Sequence, residues 1–90
     1  MRTSKAENIA RAQDVKVTSD DLIVGLTDGR SVIVPLAWFP RLLHATAAQR
    51  RKWEFIGEGE GVHWPLIDED LSVAGLLRGT PAPQKTRRAG

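Results

Sequence analysis

The chain has no cysteine, which excludes a disulfide framework, a thiolate nucleophile and any cysteine-ligated metal. No apolar run approaches the roughly 20 residues that a membrane-spanning helix needs. The first residues, Met1-Arg2-Thr3-Ser4-Lys5-Ala6-Glu7-Asn8, lack the apolar stretch of a secretory signal. A cytoplasmic location without a membrane partner is therefore expected. Histidine is confined to His44 and His63, and serine to Ser4, Ser19, Ser31 and Ser72. None of these serines stands in a nucleophile-elbow context, and no internal repeat is present. No catalytic residue is assigned and no cofactor is expected; the reading is of a non-enzyme.

What is present suits one small globular domain. A chain of 90 residues buries only roughly 60–65% of the surface its unfolded form exposes. The net charge of +2 is unevenly spread. Residues 1–11 carry +2 and residues 80–90 carry +3, whereas residues 12–79 carry −3. The basic isoelectric point thus comes from the ends, and the body is mildly acidic. That weighs against nucleic-acid binding by the body, because phosphate binding needs a basic face. The chain divides into an N-terminal extension (1–11), a compact α+β domain (12–79) and a disordered basic tail (80–90), which contains no large apolar residue.

Period-2 alternation predicts a three-stranded antiparallel meander over residues 14–36. Asp28-Gly29 is a strong hairpin signal. If Asp28-Gly29 and Asp20-Asp21 are both two-residue loops, Val24 faces Ile33 and Val17. The core face then holds Val15, Val17, Leu22, Val24, Leu26 and Ile33. The other face holds Lys16, Thr18, Ile23, Gly25, Val32 and Val34. Pro40 suits the first turn of a short helix through Leu43. Thr46-Ala47-Ala48-Gln49 matches a capping box opening a helix to about Trp53. Its run Arg50-Arg51-Lys52 lies near the helix C-terminus, where the dipole favours positive charge. Short strands are predicted at 54–56 and 62–64, with Gly57, Gly59 and Gly61 between them. Asp68-Glu69-Asp70 then precedes a helix over about 71–78, capped by Asp70 or Ser72 and stopped by Gly79. The fold class is α+β: a meander, short helices and one or two further short strands.

Few constellations carry chemistry. Gly57-Glu58-Gly59-Glu60-Gly61 has no Gly-Lys-Ser/Thr ending, and its glutamates repel phosphate. His63 with Asp68, Glu69 and Asp70 offers one imidazole and several carboxylates, so His63, Asp68 and Asp70 are weak metal candidates. Their spacing matches no established ligand loop, and a helix cap beside a hydrogen-bonded histidine accounts for them as well. The aromatic residues Trp38, Phe39, Trp53, Phe55 and Trp64 crowd between 38 and 64. Most are expected in the core, with one or two exposed as interface anchors. Residues 54–70 hold six acids and no lysine or arginine. An acidic, aromatic surface suits a basic partner, so Trp38, Trp64, Asp68, Glu69 and Asp70 are the candidate partner-binding residues.

Two stretches carry a family resemblance. One runs Leu22-Ile23-Val24-Gly25-Leu26-Thr27-Asp28-Gly29-Arg30 and then Val34-Pro35-Leu36-Ala37-Trp38-Phe39-Pro40-Arg41-Leu42. The other comprises Trp53, residues 56–65 ending in His63-Trp64-Pro65, and residues 67–77 opening with Ile67-Asp68-Glu69-Asp70. Together they resemble the Domain of Unknown Function 2442 family of small bacterial proteins over roughly residues 12–79. The resemblance implies a compact α+β domain with no established activity. Some members precede a helix-turn-helix domain, which has no counterpart after residue 79 here. Others are encoded beside a second small protein, as in toxin–antitoxin pairs.

The expected function is a non-enzymatic interaction module that binds another small protein, antitoxin-like or regulatory. The alternatives are a nucleic-acid accessory protein using the basic tails with Arg50-Arg51-Lys52, and a metal-dependent enzyme at His63 and Asp68–Asp70.

Overall fold

A computed structural model describes residues 10–79; the N-terminal residues 1–9 and the tail from 80 onward lie outside the described residues. Three strands, β1 (Ala12–Val17), β2 (Asp21–Leu26) and β3 (Ser31–Pro35), form an antiparallel sheet in the order β1-β2-β3. One turn of 3-10 helix (Leu36–Trp38) and two short helices, α1 (Pro40–Leu43) and α2 (Ala47–Arg51), follow. A second antiparallel sheet, β4 (Glu54–Ile56), β5 (Gly61–Trp64) and β6 (Glu69–Ser72), leads into α3 (Val73–Arg78). The protein is α+β and begins with a three-stranded meander. No helix among the described residues is long and apolar enough to cross a membrane.

Local chemistry sets the helix ends. Pro40 occupies the first turn of α1, where its missing N–H is not needed. Thr46 and Gln49 satisfy each other's backbone donors in a capping box at the start of α2. The Ser72 hydroxyl accepts from the Gly75 N–H at 2.9 Å and caps α3, and Gly79 ends that helix in the left-handed region.

The meander's register differs from the two-residue-loop expectation, and the two hairpins differ in their consequences. Leu26 N–H donates to the Arg30 carbonyl at 2.8 Å, and Gly29 takes φ 95°. The loop is therefore three residues, Thr27-Asp28-Gly29, with the glycine at the left-handed position. The strands slip by one, so Val24 faces Val32 and Leu22 faces Val34. A one-residue slip exchanges the faces. Val34, expected outside, is buried, whereas Ile33, expected in the core, is 61% exposed. In the first hairpin the loop is Ser19-Asp20, and Val15 faces Val24 rather than Leu26. That slip is of two residues, so Val15, Leu22, Val24 and Leu26 stay on the core face as expected.

One hydrophobic cluster joins both sheets, the helical connection and α3, while α2 and β4 contribute no buried side chain. Leu22, Val24 and Leu26 of the first sheet meet Leu36, Phe39 and Leu42 of the helical connection, Val62, Trp64 and Leu71 of the second sheet, and Val73 and Leu76 of α3. Ala10 is also buried, and Arg11 hydrogen-bonds to Thr27 through its backbone N–H and carbonyl. These two residues, expected in the N-terminal extension, pack as part of the body.

Arg50 ties the layers together. Its guanidinium donates to the carbonyls of Leu42 (3.1 Å), Leu43 (2.7 Å) and Thr18 (3.4 Å). It thereby supplies a donor to the Leu43 carbonyl at the end of α1 and a second donor to the Leu42 carbonyl, which also accepts from Ala45 N–H at 3.2 Å. The Arg50 carbonyl in turn accepts from Trp64 Nε1 at 3.0 Å.

Candidate functional site

The second sheet organises most of the residues singled out by the sequence. Asp68-Glu69-Asp70 does not open a helix. Glu69 and Asp70 lie in β6, which runs to Ser72 before α3 begins. The expected helix start is thus a third strand in this part of the chain. A strand turns alternate side chains to opposite faces, so the acids separate. Glu69, opposite Trp64, is buried at 7% exposure, while Asp70, opposite His63, is exposed. Asp68, also exposed, sits in the preceding turn at φ 55°, and its carbonyl accepts from Arg41 Nη1 at 2.5 Å.

The same alternation divides the aromatic residues. Trp64 is fully buried, at 0% exposure, with its indole N–H bonded to Arg50. It is a core residue and not a surface anchor; its place on the inward face of the central strand β5, level with Val62, decides this. Phe39 is also buried, and Trp38 is half-buried with its ring edge-on to Phe39 at 6.4 Å. Trp53 is half-buried against Phe55, at 5.1 Å between ring centroids, and Phe55 is 40% exposed.

The outer face of the second sheet carries the polar cluster. Register places Glu54, His63 and Asp70 in one cross-strand row, one residue from each strand. His63 Nδ1 bonds to Asp70 Oδ1. This carboxylate favours the imidazolium and raises the His63 pKa above its ordinary 6.5; partial desolvation opposes the shift, and the charges of Glu54 and Asp68 reinforce it. Beside this row runs another, Ile56, Gly61 and Ser72. Ile56 is 40% exposed and lies across Gly61, where a Cβ would come within 3.2 Å of its Cδ1.

Glu58 and Glu60 are arranged differently. Both pair with Arg11, at 3.5 and 3.9 Å, and the Glu60 carboxylate accepts the Glu58 N–H at 2.7 Å. That backbone donor, aided by the Arg11 charge, holds the Glu60 carboxyl below the usual carboxylate range. The glycine-rich loop is a turn, as expected, with Gly57 and Gly59 at positive φ. At Gly59 a side chain would also meet the Ala12 carbonyl at 2.7 Å.

The structure therefore brings His63 and Asp70 together and directs Glu69 inward. No group of three or more His, Asp or Glu side chains that could hold a metal ion is present among the described residues. Of the basic run, Arg50 is occupied by backbone carbonyls, while Arg51 and Lys52 are exposed. Glu54 and Ile56 were not singled out by the sequence. Their place beside His63 follows only from the β4–β5 register.

Fold and site define a small α+β domain of two three-stranded antiparallel sheets, with an acidic row on the open face of the second. The family described as protein of unknown function (DUF2442) matches residues 12–82, and the chain belongs to that family. A protein of unknown function from Rhodospirillum rubrum has a similar crystal structure, with a TM-score of 0.74 and 32% identity, covering 86% of this chain and 95% of that one. The solution structure of an uncharacterized protein from Chromobacterium violaceum shares the fold, with a TM-score of 0.73 and 24% identity, covering 96% of this chain and 84% of that one. No curated protein matches the chain.

Proposed function

We propose that the protein is a non-enzymatic interaction module that binds another small protein of basic character, in an antitoxin-like or regulatory role in the cytoplasm. One observation supports this reading above the others: the open face of the second sheet, where Glu54 and Asp70 flank His63 in one row beside the exposed Ile56. An apolar side chain next to exposed carboxylates supplies contact area and charge. The charge steers a basic partner and rejects acidic ones. The binding face differs from the one drawn on the sequence, because Trp64 and Glu69 belong to the interior.

The test is purification of the tagged protein from its native host at moderate salt, beside a Glu54→Lys/Asp70→Lys variant with an unchanged circular dichroism spectrum. A stoichiometric small basic protein should accompany the wild type and be lost from the variant. Retention of the same protein by the folded variant would refute the proposed face. Nucleic acid in its place, released steeply by salt, would turn the reading towards the basic tails with Arg51 and Lys52.

A further inference from the structure

Strand β1 forms one edge of the first sheet, and no strand among the described residues pairs with its outer side. Register decides which backbone groups face that side. Thr18 N–H donates to the Asp21 carbonyl at 2.9 Å and Asp21 N–H to the Thr18 hydroxyl at 2.9 Å, so the β1–β2 hairpin closes at a hydrogen-bonding pair position. In an antiparallel ladder such pairs alternate, so the next ones are Lys16 with Ile23 and Asp14 with Gly25. The N–H and C=O groups of Val15 and Val17 therefore point away from β2, out of the sheet. Among the described residues this edge is engaged at the start of the strand, where Ala12 N–H donates to the Gly59 carbonyl at 2.7 Å, and just past its end, where Arg50 Nη1 donates to the Thr18 carbonyl at 3.4 Å.

From residue 15 to residue 19 this edge borders an open groove of about 480 Å³, whose far wall is Ala47, Arg50 and Arg51 of α2 together with Trp53. Three of the lining residues, Lys16, Arg50 and Arg51, are basic, and none is acidic. The carbonyl bonds of Arg50 hold its charge in place, while Lys16 and Arg51 are exposed. Trp53 offers a half-buried aromatic surface inside the groove.

An unpaired strand edge beside a groove is the geometry by which folded domains add an extended peptide as an extra strand. The positive rim selects the sign of that peptide's charge. We infer that this groove takes an extended acidic segment of another protein, which pairs with β1 through Val15 and Val17 and sets its carboxylates against Lys16 and Arg51. The chain's own segment after residue 79 carries Lys85, Arg87 and Arg88 and no acid, so its charge does not match. A DNA strand would match the charge, and its phosphates can accept from the N–H groups, but its phosphate backbone has no donor for the outward carbonyls of Val15 and Val17, which an extended peptide supplies at strand spacing. The groove lies on the first sheet, and the inference stands or falls independently of the acidic face of the second.

The test titrates the labelled full chain with an acetylated and amidated Glu-Val-Glu-Val-Glu-Val peptide, read by amide and indole NMR shifts. Saturable shifts should centre on residues 15–19 and the Trp53 indole, and a Lys-Val peptide of equal length should give none. Lys16→Glu/Arg51→Glu, its fold confirmed by retained spectral dispersion, should weaken binding about tenfold or more. N-methylation of alternate peptide amides should weaken it at least as much, about tenfold, because it removes the strand pairing. Four results would overturn the inference. They are no saturable shift at about 1 mM peptide, equal binding of the N-methylated peptide, equally tight binding of an oligothymidylate at the same residues, and shifts there that grow with protein concentration alone.

Discussion

Trp64 provides the sharpest test of the interior. Its side chain has 0% exposure and its Nε1 donates to the Arg50 carbonyl at 3.0 Å. Trp64→Ala removes a large buried ring and should cost about 3–5 kcal/mol. The orphaned Arg50 carbonyl adds about 1 kcal/mol. A domain of this size has a total stability of roughly 5–10 kcal/mol, so the variant should lose about half of it. Trp64→Phe keeps most of the packing and loses the donor, which predicts an intermediate cost of about 1–3 kcal/mol. Urea unfolding followed by far-ultraviolet circular dichroism is the assay, because tryptophan fluorescence would lose one of its own reporters. The slope of free energy against urea should be unchanged in both variants. A loss below about 1 kcal/mol for Trp64→Ala at constant slope is what a surface substitution gives. It would refute the burial and return Trp64 to the list of surface anchors.

Two further outcomes follow from the register and from the polar row. Val34→Ala should cost about 2 kcal/mol, while Ile33→Ala should stay within about 0.5 kcal/mol; the reverse order in the same urea assay would restore the two-residue loop. His63 has a pKa raised above its ordinary 6.5 in the folded chain, so its contribution to stability is complete below that value and fades as pH rises through the folded pKa. Asp70→Asn removes the largest cause of the shift. Wild-type and variant urea midpoints should therefore differ most in mildly acidic solution, about pH 5–6, where an imidazolium faces an ionised carboxylate, and converge as the pH rises; a difference independent of pH would show that the pair is not coupled.

Much of the fold was legible in the sequence because its signals are local. The capping box at Thr46, Pro40 at a helix start and Gly79 at a helix end each act within a turn or so of chain. The alternation of Val15, Leu22, Val24 and Leu26 likewise marked one face of the meander. Asp28-Gly29 marked a turn but not its length, and one residue of loop length exchanged Ile33 for Val34 in the core. The acidic run Asp68-Glu69-Asp70 misled for a related reason. Acids suit a helix start, and a strand as short as β6 has too few residues to declare its period.

The sequence by itself determined the class of fold, the turns and caps, and the mildly acidic balance of the body, since these depend on composition and on neighbours a few residues apart. Tertiary structure decided everything that depends on a partner distant in the chain. It buried Trp64 and Glu69, set Glu54 beside His63 and Asp70, and engaged Arg50 with the carbonyls of another helix. The physical reason is that a side chain's exposure is a property of the register and packing of its strand, and register is chosen by what the opposite strand and the core can accept.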